Sequence, residues 1–366
     1  MELLLRHWRS QSVQLVHVRT TLRRSNAEKG RWDFRGVLAF CRIWWRFVRT
    51  LWRWRPHVVF LLLSSSWWGF VRDMVLVVTA RSIGAKVLVQ YRGGNFAGFY
   101  SQQSRWRRRF IRWGIGQVQR VLVQSEGLRE QFCGLLPQGR LGVLPNGIPV
   151  EEFPQRRRCI AAAPPFRLLF VGHIAFAKGF RELLRAYRRL SEEMPVELWV
   201  IGTRIATPSV ARSFLPPEWH GYYERHWRSI EAEIDQFLEA AERWNVRLLG
   251  VLAAEAVREW MAEADLFVLP SYSEGFSMAV LEAMGMGLPV VVTPVGALKE
   301  VVQDGVHGRI VPVGDESALC EGLRACLEAP EQMRRWGEHA REYVREHFAL
   351  ERVVCRLEAE MRGLAS

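Results

Sequence analysis

From about residue 166 the chain alternates short apolar runs with longer segments of helical periodicity. The runs are Phe166–Gly172, Val196–Gly202, Val246–Gly250, Ala264–Ser271 and Gly287–Thr293, and Phe180–Glu193 has the spacing of a helix. Continuous apolar runs separated by helices predict parallel strands buried on both faces. A polar, helical insertion, about Thr203 to Trp244, interrupts the series. The first half follows the same grammar less cleanly, with strand candidates Val13–Val18, Val58–Leu63, Lys86–Tyr91 and Arg120–Gln124 and a long helix over Val37–Trp54. Ser125 is placed to cap a helix over Glu126–Cys133. Val143–Ile148 reads as a short strand and turn, where Asn146-Gly147 tolerates positive φ. Glu151–Pro165 suits a linker, and a closing helix, about 350–363, is expected to pack back on the first domain.

With 366 residues the chain exceeds what one core usually holds, so two domains are expected, 1–150 and 151–349. Charge supports that boundary. Residues 1–150 hold 25 Lys and Arg against 6 Asp and Glu, a net +19, whereas the remainder nets −6. The imbalance points to an anionic partner for the first half. Six cysteines lack C-x2-C spacing, which removes the motif for zinc or thioredoxin-like chemistry and fits a reducing cytoplasm. No run approaches the ~18 apolar residues of a membrane span, and Met1–His7 lacks a signal-peptide layout.

The densest signal is Glu274-Gly-Phe-Ser-Met-Ala-Val-Leu-Glu282, two carboxylates eight residues apart, one in a glycine turn and one on the following helix. A carboxylate at a strand's carboxyl end, just before a helix, is where open α/β sheets place ligands. This stretch resembles the E-x7-E donor motif of retaining glycosyltransferases of the GT-B fold (group 1, family 4 type). The resemblance runs from about Val121 to the C-terminus, includes Leu144-Pro-Asn-Gly147 as a hinge, and is weak before Pro56. It implies two Rossmann-like domains facing across a cleft, the N-terminal one for the acceptor and the C-terminal one for a nucleotide sugar. One departure stands out: Met1–Trp8 reads as the family's first helix, so the first strand and its glycine loop are missing, either because the true start lies upstream or because the copy is degenerate.

The resemblance also implies roles. In Val171-Gly172-His173-Ile-Ala-Phe-Ala-Lys178-Gly179, Lys178 falls where the family grips the donor diphosphate, and His173 stands where Arg is more common. Neutral imidazole carries no fixed charge, which weakens that clamp. Glu282 is implied to accept hydrogen bonds from ribose hydroxyls and Glu274 to face the transferred sugar, with Gly172, Gly275, Phe276 and Ser277 completing the donor side. Arg92, Gly93, Gly94 and Asn95 follow a strand on the acceptor side. Arg92 stays protonated, so it binds an acceptor phosphate or the donor diphosphate rather than acting as a base. The catalytic set is then Glu274, Lys178 and Arg92, without metal or cofactor, using a UDP- or GDP-sugar and retaining anomeric configuration. The bland alternatives are solvated residues at helix starts and turns.

Arg42, Arg46, Arg49 and Arg53 form a cationic stripe on the helix over 37–54, and Arg105–Trp113 interleaves Arg with aromatics. This pattern suits an anionic membrane surface, hence a lipid-linked or glycan acceptor and a peripheral place at the inner face of the cytoplasmic membrane, although helices on a sheet are amphipathic in any case. No nucleic-acid recognition module is visible. A catalytically inactive relative binding glycan or lipid is the competing reading; the E-x7-E pattern and hinge argue against a nucleotide-sugar epimerase.

Overall fold

A computed structural model describes residues 2–10, 12–20, 34–154, 156, 164–205 and 207–365. They form two compact units, Met1–Pro145 with Glu351–Ser366, and Asn146–Leu350. Part of the expected linker, residues 155 and 157–163, lies outside the described residues.

The N-terminal unit opens with α1 (Glu2–Arg6) and α2 (Phe34–Trp54), followed by β1 (Val58–Leu63), α3 (Trp67–Ser82) and β2 (Lys86–Tyr91). Next come α4 (Phe96–Ser101), α5 (Arg105–Gly116), β3 (Arg120–Val123) and β4 (Leu141–Val143). The four strands are parallel in the order β1-β2-β3-β4, with Val58 opposite Lys86 and Leu88 opposite Arg120. Right-handed crossovers that all advance in one direction lay α3 and α5 on the same face of the sheet. α2 packs along α3, where Trp44 Nε1 donates to Thr79 Oγ1 at 3.0 Å. Phe47 and Leu51 of α2, Phe70 and Val77 of α3, and Ile111 of α5 close the core over β2 and β3.

Two local expectations are corrected. Val13–Val18 is not a strand: residues 12–20 form no ladder, and the sheet of the described residues begins at Val58. Its alternating pattern suits a strand, but a strand exists only with a partner. Instead Trp8 Nε1 donates to the Val13 carbonyl, and the Ser10 and Ser12 hydroxyls donate to Glu358. Ser125 caps no α-helix either. Gly127–Phe132 is a 3-10 helix, and burial of Leu128 and Phe132, with Phe132 stacked on Phe96 at 4.5 Å, tightens the turn.

The C-terminal unit contains β5 (Phe166–Val171), α6 (Phe180–Glu193), β6 (Val196–Ile201), α7 (Pro208–Ser213) and α8 (Pro217–Glu239). It continues with β7 (Val246–Gly250), α9 (Ala254–Glu263), β8 (Leu266–Leu269), α10 (Met278–Gly285) and β9 (Val290–Val292). The last elements are α11 (Leu298–Val301), β10 (Gly308–Ile310), α12 (Glu316–Leu327) and α13 (Pro330–Phe348). Six parallel strands run β10-β9-β8-β5-β6-β7. From β5 the chain winds outward one way to β7, then returns to β8 and winds the other way. The order therefore reverses between β5 and β8, which are hydrogen-bonded neighbours. Such a reversal leaves a crevice at the carboxyl ends of the two strands.

The chain leaves this unit beside the point where it entered: Ile148 N–H donates to the Phe348 carbonyl and Leu350 N–H to the Ile148 carbonyl, both at 3.0 Å. The final helix, α14 (Leu350–Ala365), belongs largely to the N-terminal unit, where Glu360 pairs with Arg120 at 2.7 Å.

The end of β1 is tied to α3 by the buried Asp73, whose carboxylate accepts from Ser64 N–H at 2.8 Å and pairs with Arg72 at 2.7 Å. Asp73→Ala leaves that N–H unmatched and is expected to cost about 1–3 kcal/mol in urea denaturation. Asp73→Asn keeps an acceptor and should recover part of the loss; equal stability of wild type and alanine variant would refute the role.

Candidate functional site

The loops that follow β5 and β8 meet at the reversal point. After β5 the chain runs Gly172 to Gly179, and after β8 it runs Pro270 to Ser277. They are stitched together by the backbone, with Tyr272 N–H donating to the Ala177 carbonyl at 3.0 Å. Gly179, at φ +66°, lies so close to the Pro270 carbonyl that a Cβ would fall 1.9 Å from its oxygen. Across this seam Lys178 Nζ donates to Glu274 Oε1 at 2.6 Å, and the buried Ser271 hydroxyl donates to the same oxygen at 2.9 Å. Two residues read separately as a phosphate ligand and a sugar ligand are thus one ion pair, largely withdrawn from water.

His173 sits on the same loop. Burial, with help from the nearby Lys178 charge, pushes its imidazole below the usual histidine range against an opposing pull from Glu274. The ring is therefore neutral near pH 7, and it lies 5.9 Å from Phe214 of the insertion. The insertion itself packs Trp219 and Tyr222 around Tyr272 and Phe176.

Ser277 caps α10, its hydroxyl facing Val280 N–H at 3.5 Å, and the Gly275 carbonyl accepts from Ala297 N–H at 3.0 Å. Phe276 packs edge-on against Phe348. Glu282 lies on α10 with Arg258 of α9 beside it, 3.5 Å between Nη2 and Oε1. Burial raises the Glu282 carboxyl above its usual range, Arg258 opposes that rise, and Glu255 adds to it. Arg258 is itself buried, its guanidinium lies 4.8 Å from the Phe153 ring centroid, and its Nε has no hydrogen-bond partner among the described residues. Sequence reading passed over Arg258. Its signal was a charge at a position flanked by Val257, Met261 and Ala262 on the apolar side of a helix.

In the N-terminal unit, Arg92 donates from Nε to Gln90 Oε1 at 2.9 Å, and the buried Gln90 in turn donates to the Leu144 carbonyl at 3.0 Å. Gly93 owes its identity to packing, since a Cβ there would fall 2.2 Å from the Tyr91 hydroxyl. The Gly94 carbonyl accepts from the Gln131 amide. Asn95 caps α4, accepting from Gly98 N–H at 2.8 Å. This turn is held together by its own side chains, and Arg92 is the member with charge to offer.

Two Rossmann-like units, each built on a parallel sheet, give the chain the GT-B fold of glycosyltransferases. Residues 165–329 match the family model of glycosyl transferases group 1, and residues 2–147 match the glycosyl transferase 4-like domain. The chain belongs to the group 1 glycosyltransferase family. An uncharacterized glycosyltransferase of Methanocaldococcus jannaschii is 26% identical over 69% of this chain and 60% of its own length. The D-inositol 3-phosphate glycosyltransferase of Streptomyces griseus is 29% identical over 60% of this chain, and the match covers 44% of that relative. The chain thus spans less than two thirds of the length of these relatives. Among solved structures, sucrose-phosphate synthase from Thermosynechococcus elongatus superposes with a TM-score of 0.67 at 20% identity, covering 90% of this chain and 78% of the other. Anabaena HepE in complex with UDP and glucose gives 0.67 at 17%, covering 90% and 83%. At these identities the likeness is one of fold.

Gly296 holds the Glu274 turn in place. It adopts φ +53°, and a Cβ there would lie 2.0 Å from the Glu274 carbonyl oxygen. Gly296→Ala is expected to lower stability by at least about 1 kcal/mol in thermal unfolding. Gly221→Ala, in the second turn of α8 with nothing within 4 Å of the new Cβ, is the control. It should be neutral or gain up to about 1 kcal/mol. Equal behaviour of the two variants would remove the argument.

Proposed function

We propose that this glycosyltransferase moves a sugar from a nucleotide-sugar donor to a glycan or lipid-linked acceptor with retention of anomeric configuration, in synthesis of cell-surface polysaccharide or glycolipid. The observation that carries the reading is the Lys178–Glu274 pair at the switch point, with Glu282 one helix further on. A UDP-sugar is the favoured donor and a GDP-sugar the other candidate; the fold neighbour HepE, in complex with UDP and glucose, supports UDP. Glu282 would accept from the ribose hydroxyls, a task for which a carboxylate offers two oxygens. Lys178 would leave Glu274 to meet the diphosphate, freeing that carboxylate for the sugar hydroxyls. Gly172, Gly275, Phe276 and Ser277 would bring backbone to the donor. His173, neutral, would add a hydrogen bond and no charge.

In the proposed step the acceptor oxygen bonds to the anomeric carbon as the bond from that carbon to the β-phosphate oxygen breaks, both on one face of the sugar. The acceptor proton passes to the departing phosphate. Lys178 and the start of α6 would stabilise the charge that develops there, without a metal. Glu274 binds the sugar in this scheme and forms no covalent adduct. Arg92, with Gly93, Gly94 and Asn95 around it, would meet an acceptor phosphate or the diphosphate. A lipid-linked acceptor would bring the protein to the inner face of the cytoplasmic membrane. The competing reading, an inactive relative, would leave the Lys178–Glu274 seam and the buried Glu282 without a task.

Titration calorimetry with UDP, GDP and ADP tests the donor site. One nucleotide is expected to bind, and Glu282→Ala should weaken it at least tenfold, about 1.4 kcal/mol. No nucleotide binding by the folded chain would sink the proposal. Retention is read separately, from the anomeric configuration of the product.

A pH series isolates Arg258. Binding that needs ionised Glu282 is lost as pH falls through the pKa of that group. Arg258→Gln removes the influence that opposes its rise, so the midpoint should move to higher pH, while Arg258→Lys should keep it near wild type. In the free protein the sign is opposite. A carboxyl raised above 4.5 on folding holds its proton more tightly when folded, so its contribution to stability is full below that value and fades as pH rises. A midpoint unmoved in Arg258→Gln would show that Arg258 merely fills space.

A further inference from the structure

Three helices on one face of the N-terminal sheet present chemistry that solvated helices avoid. On α3 the side turned outward carries Trp68, Val71, Val75 and Val78, of which Trp68, Val75 and Val78 are exposed; the two polar residues among them are engaged, Arg72 with Asp73 and Ser64 and Thr79 with Trp44. A helix lying on a sheet ordinarily turns polar residues that way. On α2 the outward stripe alternates cation and indole through Arg42, Trp45, Arg49, Trp52 and Arg53, with Trp45 62% and Trp52 76% exposed. On α5 it reads Arg105, Trp106, Arg109, Arg112 and Trp113, with Trp106 62% exposed. α3 lies between the other two, bonded to α2 through Thr79 and Trp44 and packed on α5 through Trp67, Trp106 and Phe110. The result is an apolar ridge flanked by two Arg/Trp rows. The one acidic residue in the sequence of these three helices is Asp73, buried and paired with Arg72.

We infer that this three-helix face is a docking surface for an anionic lipid bilayer. The valine ridge matches the acyl boundary, indoles favour the headgroup region, and arginines meet lipid phosphates. A nucleic acid would satisfy the arginines but offers the valines nothing. A protein partner would have to be acidic on two flanks and apolar between them. No described helix is long and apolar enough to cross a membrane, so contact is with the surface. The inference deepens the proposed reading, because a lipid-linked acceptor is delivered from such a surface, but its test does not use sugar transfer.

Co-sedimentation of the full chain with vesicles of phosphatidylcholine, with and without phosphatidylglycerol, decides it. Binding is expected with phosphatidylglycerol, weak without it, and reduced at least tenfold as salt rises from about 0.1 M to about 1 M, where the screening length shrinks from about 10 Å to about 3 Å. Two double variants, V75E/V78E and W45S/W52S, should each lose at least tenfold in vesicle binding while binding UDP as wild type does. Vesicle binding unchanged in both variants overturns the inference. So does the absence of vesicle binding by a chain that still binds UDP, a preference for duplex DNA over vesicles, or a lipid-free dimer that V75E/V78E dissolves. Vesicle binding by a chain that binds no nucleotide would sink the transferase reading and leave this one standing.

Discussion

The Lys178–Glu274 contact is the constraint around which the C-terminal unit is arranged. Taking two charges largely out of water is costly unless geometry and further hydrogen bonds compensate. Here the geometry comes from the strand order, which brings the ends of β5 and β8 side by side. Compensation comes from Ser271, whose hydroxyl shares the Glu274 oxygen, and Thr293, whose hydroxyl donates to the Ser271 carbonyl from the neighbouring loop. The close approach needs backbone without side chains at two points, Gly179 against Pro270 and Gly296 against Glu274. A seam held from three loops keeps these groups in fixed positions before anything else meets them.

Much of this could be read from the chain, and what could not has a physical reason. The helix over Phe180–Glu193 was delimited to the residue, because a glycine precedes it and its apolar spacing is regular. Five of the six strands of the C-terminal unit followed from their apolar runs, whereas the edge strand β10, three residues long and containing Arg309, offered no such run. The pairing of Lys178 with Glu274 was not legible: 96 residues separate them, and only the strand order makes them neighbours. Arg258 escaped for the same reason, being defined by proximity to Glu282 across two helices. Val13–Val18 misled because alternation describes what a strand's faces require and says nothing of whether a neighbour is present. Asn95 and Gly93, expected on the acceptor side, also have local work that spacing did not show, as a cap and as clearance for Tyr91.

The two units differ in how they handle charge. In the C-terminal unit arginines are largely paired: Arg185 reaches Glu233 and Glu316, and Arg204 reaches Glu231 and Asp235. Such pairs fix α8 against α6 and the loop after β6 and leave little net field. In the N-terminal unit the excess of arginine has few carboxylates to meet, and two guanidinium groups there lie on indoles, Arg49 over Trp45 and Arg107 over Trp67 and Trp106. A guanidinium on an aromatic face keeps its hydrogen-bond donors free at the rim. One unit therefore neutralises itself and the other presents its charge outward.

The return of α14 to the N-terminal unit sets an order of events during synthesis. Asn146–Leu350 is one uninterrupted stretch and can fold as soon as the ribosome has released it. The N-terminal unit, although its strands are made earlier, lacks α14 until residues 351–365 have been added, so Arg120 waits for Glu360, and Ser10 and Ser12 for Glu358. Domains ordinarily fold in the order in which they emerge. Here the later segment is the first that can be completed, and the more basic, tryptophan-rich portion of the polypeptide spends the longest time unfinished in the cell.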